Sequence, residues 1–374
     1  METERGAVEA LVATPDRAVW KGRRVFLTGH TGFKGGWLAL WLAQLGAHVR
    51  GYALDPVTVP NLMQVARVAD VVEDVRGDVT DRMRLMDAMH AFAPEIVIHM
   101  AAQPLVRYSY VNPLETYGTN VMGTAHVLEA VRTSSSVRAV VVVTSDKCYE
   151  NHETGRAFRE GDPLGGHDPY SSSKACAELV AAAYRSSYFP VEKFAEHGVG
   201  IATARAGNVI GGGDWSDDRL LPDLVRGFLR GEAVRIRRPQ SVRPWQHVLE
   251  PMWGYIRLAE ELYRGNANAA SAWNFGPAQE NAWSVKRIAN AMAAQWGDGA
   301  AWINEEDGGA HEAGYLVLDA SKARTGLGWT PHLHLEEALS WLIEWYRTQA
   351  VGEDMQAKTL EQIRCYESLI AGRK

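Results

Sequence analysis

A chain of 374 residues, at roughly 100–200 residues per domain, has room for two domains. Its 46% apolar and 22% charged residues are ordinary for a globular protein, and 39 basic against 45 acidic residues leave a net charge of −6, which argues against a general nucleic-acid or acidic-membrane binder. Three cysteines without CxxC spacing, no apolar run of ~18 residues and an acidic start without signal-peptide blocks point to a soluble, cytoplasmic protein.

Residues 1–20 read as a tail. Arg24–Leu27 is a short apolar run, and Trp37–Leu45 has helical spacing. His48–Leu54 alternates like a strand and leads to Asp55. Residues 71–79 give another short strand, 82–92 a helix and 95–102 (EIVIHMAA) a buried strand. Asn120–Arg132 is helical, RAVVVVTS (138–145) has strand length, a long helix runs from about Tyr170 to Tyr188, and GIATARAGNVI (200–210) is one more strand. Strands alternating with helices mean parallel βαβ units, and fully apolar strands mean a sheet covered on both faces. The expected fold is therefore α/β, a Rossmann doubly wound parallel sheet over residues 21–208, with some later segments returning to it. Beyond Gly211 the pattern loosens. GGGDWSDDRLLP and RRPQSVRPWQH read as irregular, ligand-facing loop. Residues 209–350 are expected to form mainly a smaller α/β substrate-binding domain, ending in the amphipathic helix LEEALSWLIEWYRTQ, with 351–374 a C-terminal helix or tail.

Thr28 to Gly35 (TGHTGFKG) directly follows the first strand and opens a helix. Gly29, Gly32 and Gly35 fit GxxGxxG. Such glycines permit a tight turn, close approach of backbone to a pyrophosphate, and close helix–strand packing. The helix N-terminus adds free N–H groups and a positive dipole end. Asp55 stands at the end of the second strand, 20 residues after Gly35. A carboxylate there accepts bonds from adenosine ribose hydroxyls and repels a 2′-phosphate, which favours NAD over NADP. Asp78, in Gly77-Asp78-Val79, fits an adenine-side segment and equally a turn or helix N-cap.

Tyr170 and Lys174 form YxxxK at the start of a helix, so both lie on one face. Tyrosine near pKa 10 is a poor base at pH 7, but a neighbouring ammonium and a cationic nicotinamide ring both favour the phenolate. A tuned tyrosine then accepts a proton from a sugar hydroxyl. YxxxK gains meaning from its place, after a Rossmann start and after an apolar strand ending Thr144-Ser145-Asp146.

In order along the chain, TGHTGFKG, HMAAQPLVR, NPLETYGTNVMGT, TSDKCYEN, DPYSSSK, RAGNVIGGGDW, DRLLPD and RPWQHVLEP resemble the CDP-glucose 4,6-dehydratases of the extended short-chain dehydrogenase/reductase family, over about residues 18–350. The resemblance implies a borrowed and returned hydride. Tyr170 takes the proton of the hexose 4-hydroxyl as hydride leaves C4 for NAD. Loss of the C5 proton and the C6 hydroxyl gives a 4-keto-5,6-ene, and hydride then returns to C6 while C5 is reprotonated. It places Gly29, Thr31, Gly32, Phe33, Gly35, Asp55, Asp78, Val79, Ala101, Ala102, Tyr170 and Lys174 along the cofactor. Related dehydratases carry Thr-Asp-Glu where this chain has Ser145-Asp146-Lys147. By position Ser145 bonds the 4-hydroxyl, Asp146 protonates the leaving hydroxyl, and Lys147 stands where a glutamate takes the C5 proton. A lysine acts so only if its pKa is lowered.

For the nucleotide sugar the resemblance implies Gln103, Arg107, Asn208, Arg219, Leu220 and His247. A packed or surface histidine is an equal reading of His247. Arg235, Arg237, Arg238 and Arg243 form a basic cluster in an acidic protein, and arginine forks match phosphate oxygens. Arg243 and then Arg235 are the first candidates for a diphosphate clamp, and about half of the cluster is expected at the ligand. Trp37 and Trp41 are expected in the core. Trp215 and Trp245, in the substrate loops, are candidates to line the nucleotide site, though core packing explains them as well. No metal, nucleic acid or membrane partner is expected. A homodimer pairing through helices at about 120–132 and 170–188 is. Another sugar-nucleotide dehydratase (GDP-mannose or dTDP/UDP-glucose) or an epimerase is the alternative. Asp146, an acid for a leaving hydroxyl, argues against an epimerase, and retained Tyr170 and Lys174 argue against a non-catalytic NAD-binding scaffold.

Overall fold

The computed structural model describes residues 14–153, 155–277, 281–305 and 316–372. Its strands are β1 (Arg24–Thr28), β2 (His48–Ala53), β3 (Glu73–Arg76), β4 (Ile96–His99), β5 (Ala139–Val143), β6 (Gly200–Ala206), β7 (Asn208–Ile210), β8 (Val234–Ile236), β9 (Val242–His247), β10 (Ala272–Phe275), β11 (Ala282–Ser284) and β12 (Trp302–Asn304). Seven of them build one parallel sheet in the order β10-β6-β5-β4-β1-β2-β3. Alternate side chains of each strand enter opposite faces. Val25, Leu27, Ile96, Ile98 and Val141 join one core, and Phe26, Val97, Val140 and Val142 the other. This is the doubly wound sheet that the apolar runs foretell. The strand order reverses between β1 and β4, where a crevice opens at the carboxyl ends of the strands.

The helix Phe33–Gln44 buries Trp37 and Trp41 as expected. The helix Pro169–Ser187 starts cleanly because Asp168 caps it through the Ser171 N–H, 2.9 Å away, and Pro169 fills its first turn. Ahead of Gly123–Arg132 the chain is already helical from Pro113, with a wide π-type turn at Gly118–Met122. That turn aims the buried Asn120 amide at Ser173 Oγ (2.8 Å) and at the Gln103 carbonyl (3.1 Å), which ties the loop after β4 to the Pro169–Ser187 helix.

Several expectations change. The tail ends before residue 17: Arg17–Trp20 is a helical turn, and buried Trp20 donates to Glu260 at 2.8 Å. The strand expected over 71–79 is only Glu73–Arg76, because Asp78 folds the chain into a turn by accepting from the Thr80 N–H. GIATARAGNVI breaks at Gly207, where an added Cβ would meet Asp146 Oδ2 at 2.9 Å and Pro244 at 3.1 Å. β6 therefore stays in the central sheet, while β7 joins a three-stranded sheet in the order β11-β9-β7. Part of the expected loop RRPQSVRPWQH is strand β9. β10 lies beside β6, and the helix Leu249–Tyr263 packs under the same sheet. Residues 355–372 form a helix whose Tyr366 hydroxyl donates to Glu250 at 2.6 Å. No helix among the described residues is long and apolar enough to cross a membrane.

Candidate active site

The crevice at the switch point is a cavity of about 620 Å³, within the range of small-molecule sites. The loop after β1 forms one wall. Gly29 has φ +80°, and a Cβ there would stand 2.7 Å from the Ala101 backbone. A Cβ on Gly35 would stand 2.0 Å from the Gly29 carbonyl, so the helix start lies directly against the turn. Gly32 is the N-cap residue of Phe33–Gln44 and leaves the first N–H groups without a side-chain cap. A glycine cradle at an uncapped helix start fits a dinucleotide pyrophosphate. Thr31, Phe33, Asp55, Asp78, Val79, Ala101 and Ala102 line the same cavity. Thr31 Oγ1 donates to the Leu54 carbonyl at 2.9 Å. Asp55 is exposed, with Arg76 Nη1 at 3.3 Å. The Asp78 carboxylate serves its own turn.

The opposite wall comes from β5 and the Pro169–Ser187 helix. Ser145, Asp146, Lys147, Tyr170 and Lys174 all line the cavity. Ser145 Oγ donates to Asp146 Oδ1 at 3.0 Å and accepts from the Lys147 N–H at 3.2 Å, which folds residues 146–148 into a tight turn. Burial pushes the Asp146 carboxyl above its usual range, against the pull of Lys147, Ser145 and Arg243. A carboxyl so placed holds its proton to higher pH and suits a general acid. Burial pushes Tyr170 up to about 12, opposed by its contact with Ser145 and by Arg219. Lys174 donates to the Val143 carbonyl at 3.5 Å, and burial draws it down to about 8. Lys147 is only half-buried.

A third lysine lines the cavity, one to which the sequence assigned no role. Lys34, inside TGHTGFKG, is half-buried on the cavity wall and donates to the Tyr255 hydroxyl at 3.2 Å. Burial, then Lys174 and Arg219, draw it down to about 7, while Asp146 opposes. Its only sequence signal is a charged residue within the first turn of an otherwise apolar helix.

The third wall carries Arg107, Asn208, Arg219, Leu220, Arg235 and Arg243, and also Arg237, Arg238, Trp215 and Trp245. All four residues of the arginine cluster reach the lining. Arg219 precedes the helix Leu220–Leu229 and pairs with Asp214 at 3.0 Å. Asp218 Oδ1 lies 3.2 Å from Arg237 and 3.5 Å from Arg107. Arg235 is largely exposed, 3.4 Å from Glu305. Trp215 and Trp245 are nonetheless largely buried, and Trp215 packs edge-on against Trp345 and Tyr346.

Two expected residues do not reach the cavity. His247 is buried between Trp37 and Trp341, and burial draws it to about 3, so it is a neutral packing residue. Gln103 is turned inward: its side-chain amide donates to Thr116 Oγ1 at 2.9 Å and to the Leu105 carbonyl at 3.1 Å. It shapes the loop after β4.

A family model described as GDP-mannose 4,6 dehydratase matches residues 26–195. The CDP-glucose 4,6-dehydratase of Salmonella typhimurium (strain LT2) is 52% identical over 353 residues, covering 94% of this chain and 98% of the relative. The chain belongs to the CDP-glucose 4,6-dehydratase family. Within the wider group, the dTDP-glucose 4,6-dehydratase of Streptomyces antibioticus is 30% identical, covering 86% of this chain and 92% of the relative. Among solved structures, DesIV of Streptomyces venezuelae, a dTDP-glucose 4,6-dehydratase with NAD bound, superposes at TM-score 0.74 with 23% identity, covering 89% and 99% of the two chains. MoeE5 in complex with UDP-glucose and NAD superposes at TM-score 0.71 with 25% identity, covering 87% and 99%.

Proposed function

We propose that this chain converts CDP-D-glucose to CDP-4-dehydro-6-deoxy-D-glucose. The observation that carries the reading is one cavity shared by a pyrophosphate-type glycine cradle, the Tyr170–Lys174 pair and the buried Asp146. NAD, when bound on the cradle, supplies a hydride acceptor and then a hydride donor, so the reaction has no net redox change. Asp55 takes the ribose hydroxyls. Tyr170 takes the proton of the 4-hydroxyl, which Ser145 orients. Asp146 gives its proton to the departing C6 hydroxyl. Lys147 takes the C5 proton. Arg243, Arg219 and Arg235 hold the diphosphate, with Arg107, Asn208 and Leu220 beside the sugar nucleotide.

Incubation with CDP-, dTDP-, UDP- and GDP-hexoses tests the reading through the alkali-stable 4-keto chromophore. Turnover with CDP-glucose is expected, and a chromophore with another nucleotide alone would replace the assignment. The Asp55→Ala variant should weaken NAD about tenfold, matching one charged hydrogen bond of about 1.5 kcal/mol, and should weaken NADP less, because Arg76 is released towards a 2′-phosphate. Quenching of tryptophan fluorescence by each dinucleotide measures both.

Supporting a homodimer, Met122, Leu179 and Tyr188 stand exposed on and beside the two long helices, with Leu114 just before them. Three free cysteines fit a cytoplasmic setting.

A further inference from the structure

Behind the reacting wall lies a polar knot that the mechanism above does not use. Glu178 is 3% exposed and sits one helical turn after Lys174, on the same face of Pro169–Ser187. Its Oε1 accepts from Thr144 Oγ1 at 2.5 Å. Its Oε2 accepts from Thr203 Oγ1 at 2.7 Å and from Arg205 Nη2 at 2.8 Å. Arg205, also buried, donates to the Tyr149 hydroxyl, which donates to Asn274 Oδ1. One carboxylate thus joins three elements of the site: Thr144, directly before Ser145; β6, which leads to Asn208; and the helix that carries Tyr170 and Lys174.

We propose that Glu178 is a positioning residue of the reaction, whose buried negative charge sustains the Lys174 ammonium while its bonds fix the Ser145–Lys147 turn against Tyr170. The inference rests on the functional reading above for its turnover readout.

The charges around Lys174 give the direction. Its own helix supplies Tyr170 and Glu178, and the turn after β5 supplies Asp146 and Cys148. Phe33–Gln44 supplies Lys34, β4 supplies His99, and β6 supplies Arg205. Burial lowers Lys174, and Glu178 is the foremost group raising it. Cys148, pushed far up by burial, is a neutral thiol, and His99, drawn to about 3, is neutral. Lys34 is a like charge that Lys174 itself depresses. Removal of the Glu178 charge therefore lowers Lys174 further, and whatever needs the ammonium is lost at a lower pH.

The test is Glu178→Gln, read by NADH affinity (tryptophan fluorescence, no sugar present) and by kcat against pH. The alkaline limb of both profiles should move down by about one pH unit, the lower end of the effect of a close opposite charge. At pH 8 that is up to tenfold in kcat, with KM for the sugar nucleotide little changed. Because Glu178→Gln leaves Arg205 buried without its counter-charge, a second variant, Glu178→Gln with Arg205→Met, removes both charges of the pair, which a folded core tolerates better. The shift must persist there, and Glu178→Asp must restore the wild-type limb. Lower activity with an unmoved limb in both variants overturns the proposal and leaves a purely structural role. Wild-type protein that binds NADH but turns over no CDP-hexose would defeat the functional reading alone, and the NADH profile would still decide Glu178.

Discussion

The Tyr170→Phe variant should form no enzyme-bound NADH when CDP-glucose is added, with turnover falling by at least about 10³-fold. General acid–base catalysis contributes typically 10²–10⁴-fold, and here the whole sequence waits on the first proton transfer. Burial alone makes Tyr170 a poorer base, since it pushes the hydroxyl up to about 12. The site opposes this with Ser145 at the hydroxyl and with the Arg219 guanidinium. The phenolate is thus favoured only with these partners in place. Phenylalanine keeps the ring and its packing and removes only the oxygen, so NADH affinity should stay within about threefold of wild type. Absorbance at the NADH band in single-turnover mixing measures the step directly. An undiminished NADH signal removes Tyr170 as the base.

The same wall shows which parts of the molecule a sequence reveals. Gly29, Gly35, Tyr170 and Lys174 were legible because their meaning is local: a turn at a strand end, or two residues on one helix face. Six of the seven strands of the central sheet were legible for the same reason, since their runs have the length and composition of strands, whereas β10, four residues far along the chain, was not. The second sheet was not. β7 and β11 have only three residues each, and the pairings that join them to β9 span long stretches of chain. His247 failed through its surroundings. It shares a strand face with Arg243 and Trp245, four and two residues earlier, and both of those reach the cavity. At residue 247 the strand has already passed beneath Trp37, so the third position of that face is core. Lys34 and Glu178 owe their character to burial and to partners more than twenty residues away, which no spacing rule reports.

The Lys147→Ala variant should separate the two halves of the reaction. C4 oxidation, seen as transient NADH, should keep its rate within about threefold, whereas exchange of solvent deuterium into C5 should slow by 10²–10³-fold, the usual share of a general base. The structure bears on this assignment in two ways. Lys147 directly follows Asp146 in the turn that Ser145 holds, which sets both side chains at the carboxyl end of β5. Yet the lysine that the fold draws down to about 7 is Lys34, on the facing wall. A Lys147→Ala protein with unchanged C5 exchange would take the base away from Lys147. Loss of exchange together with loss of NADH formation would instead mean that residue 147 acts by placing the sugar for both steps.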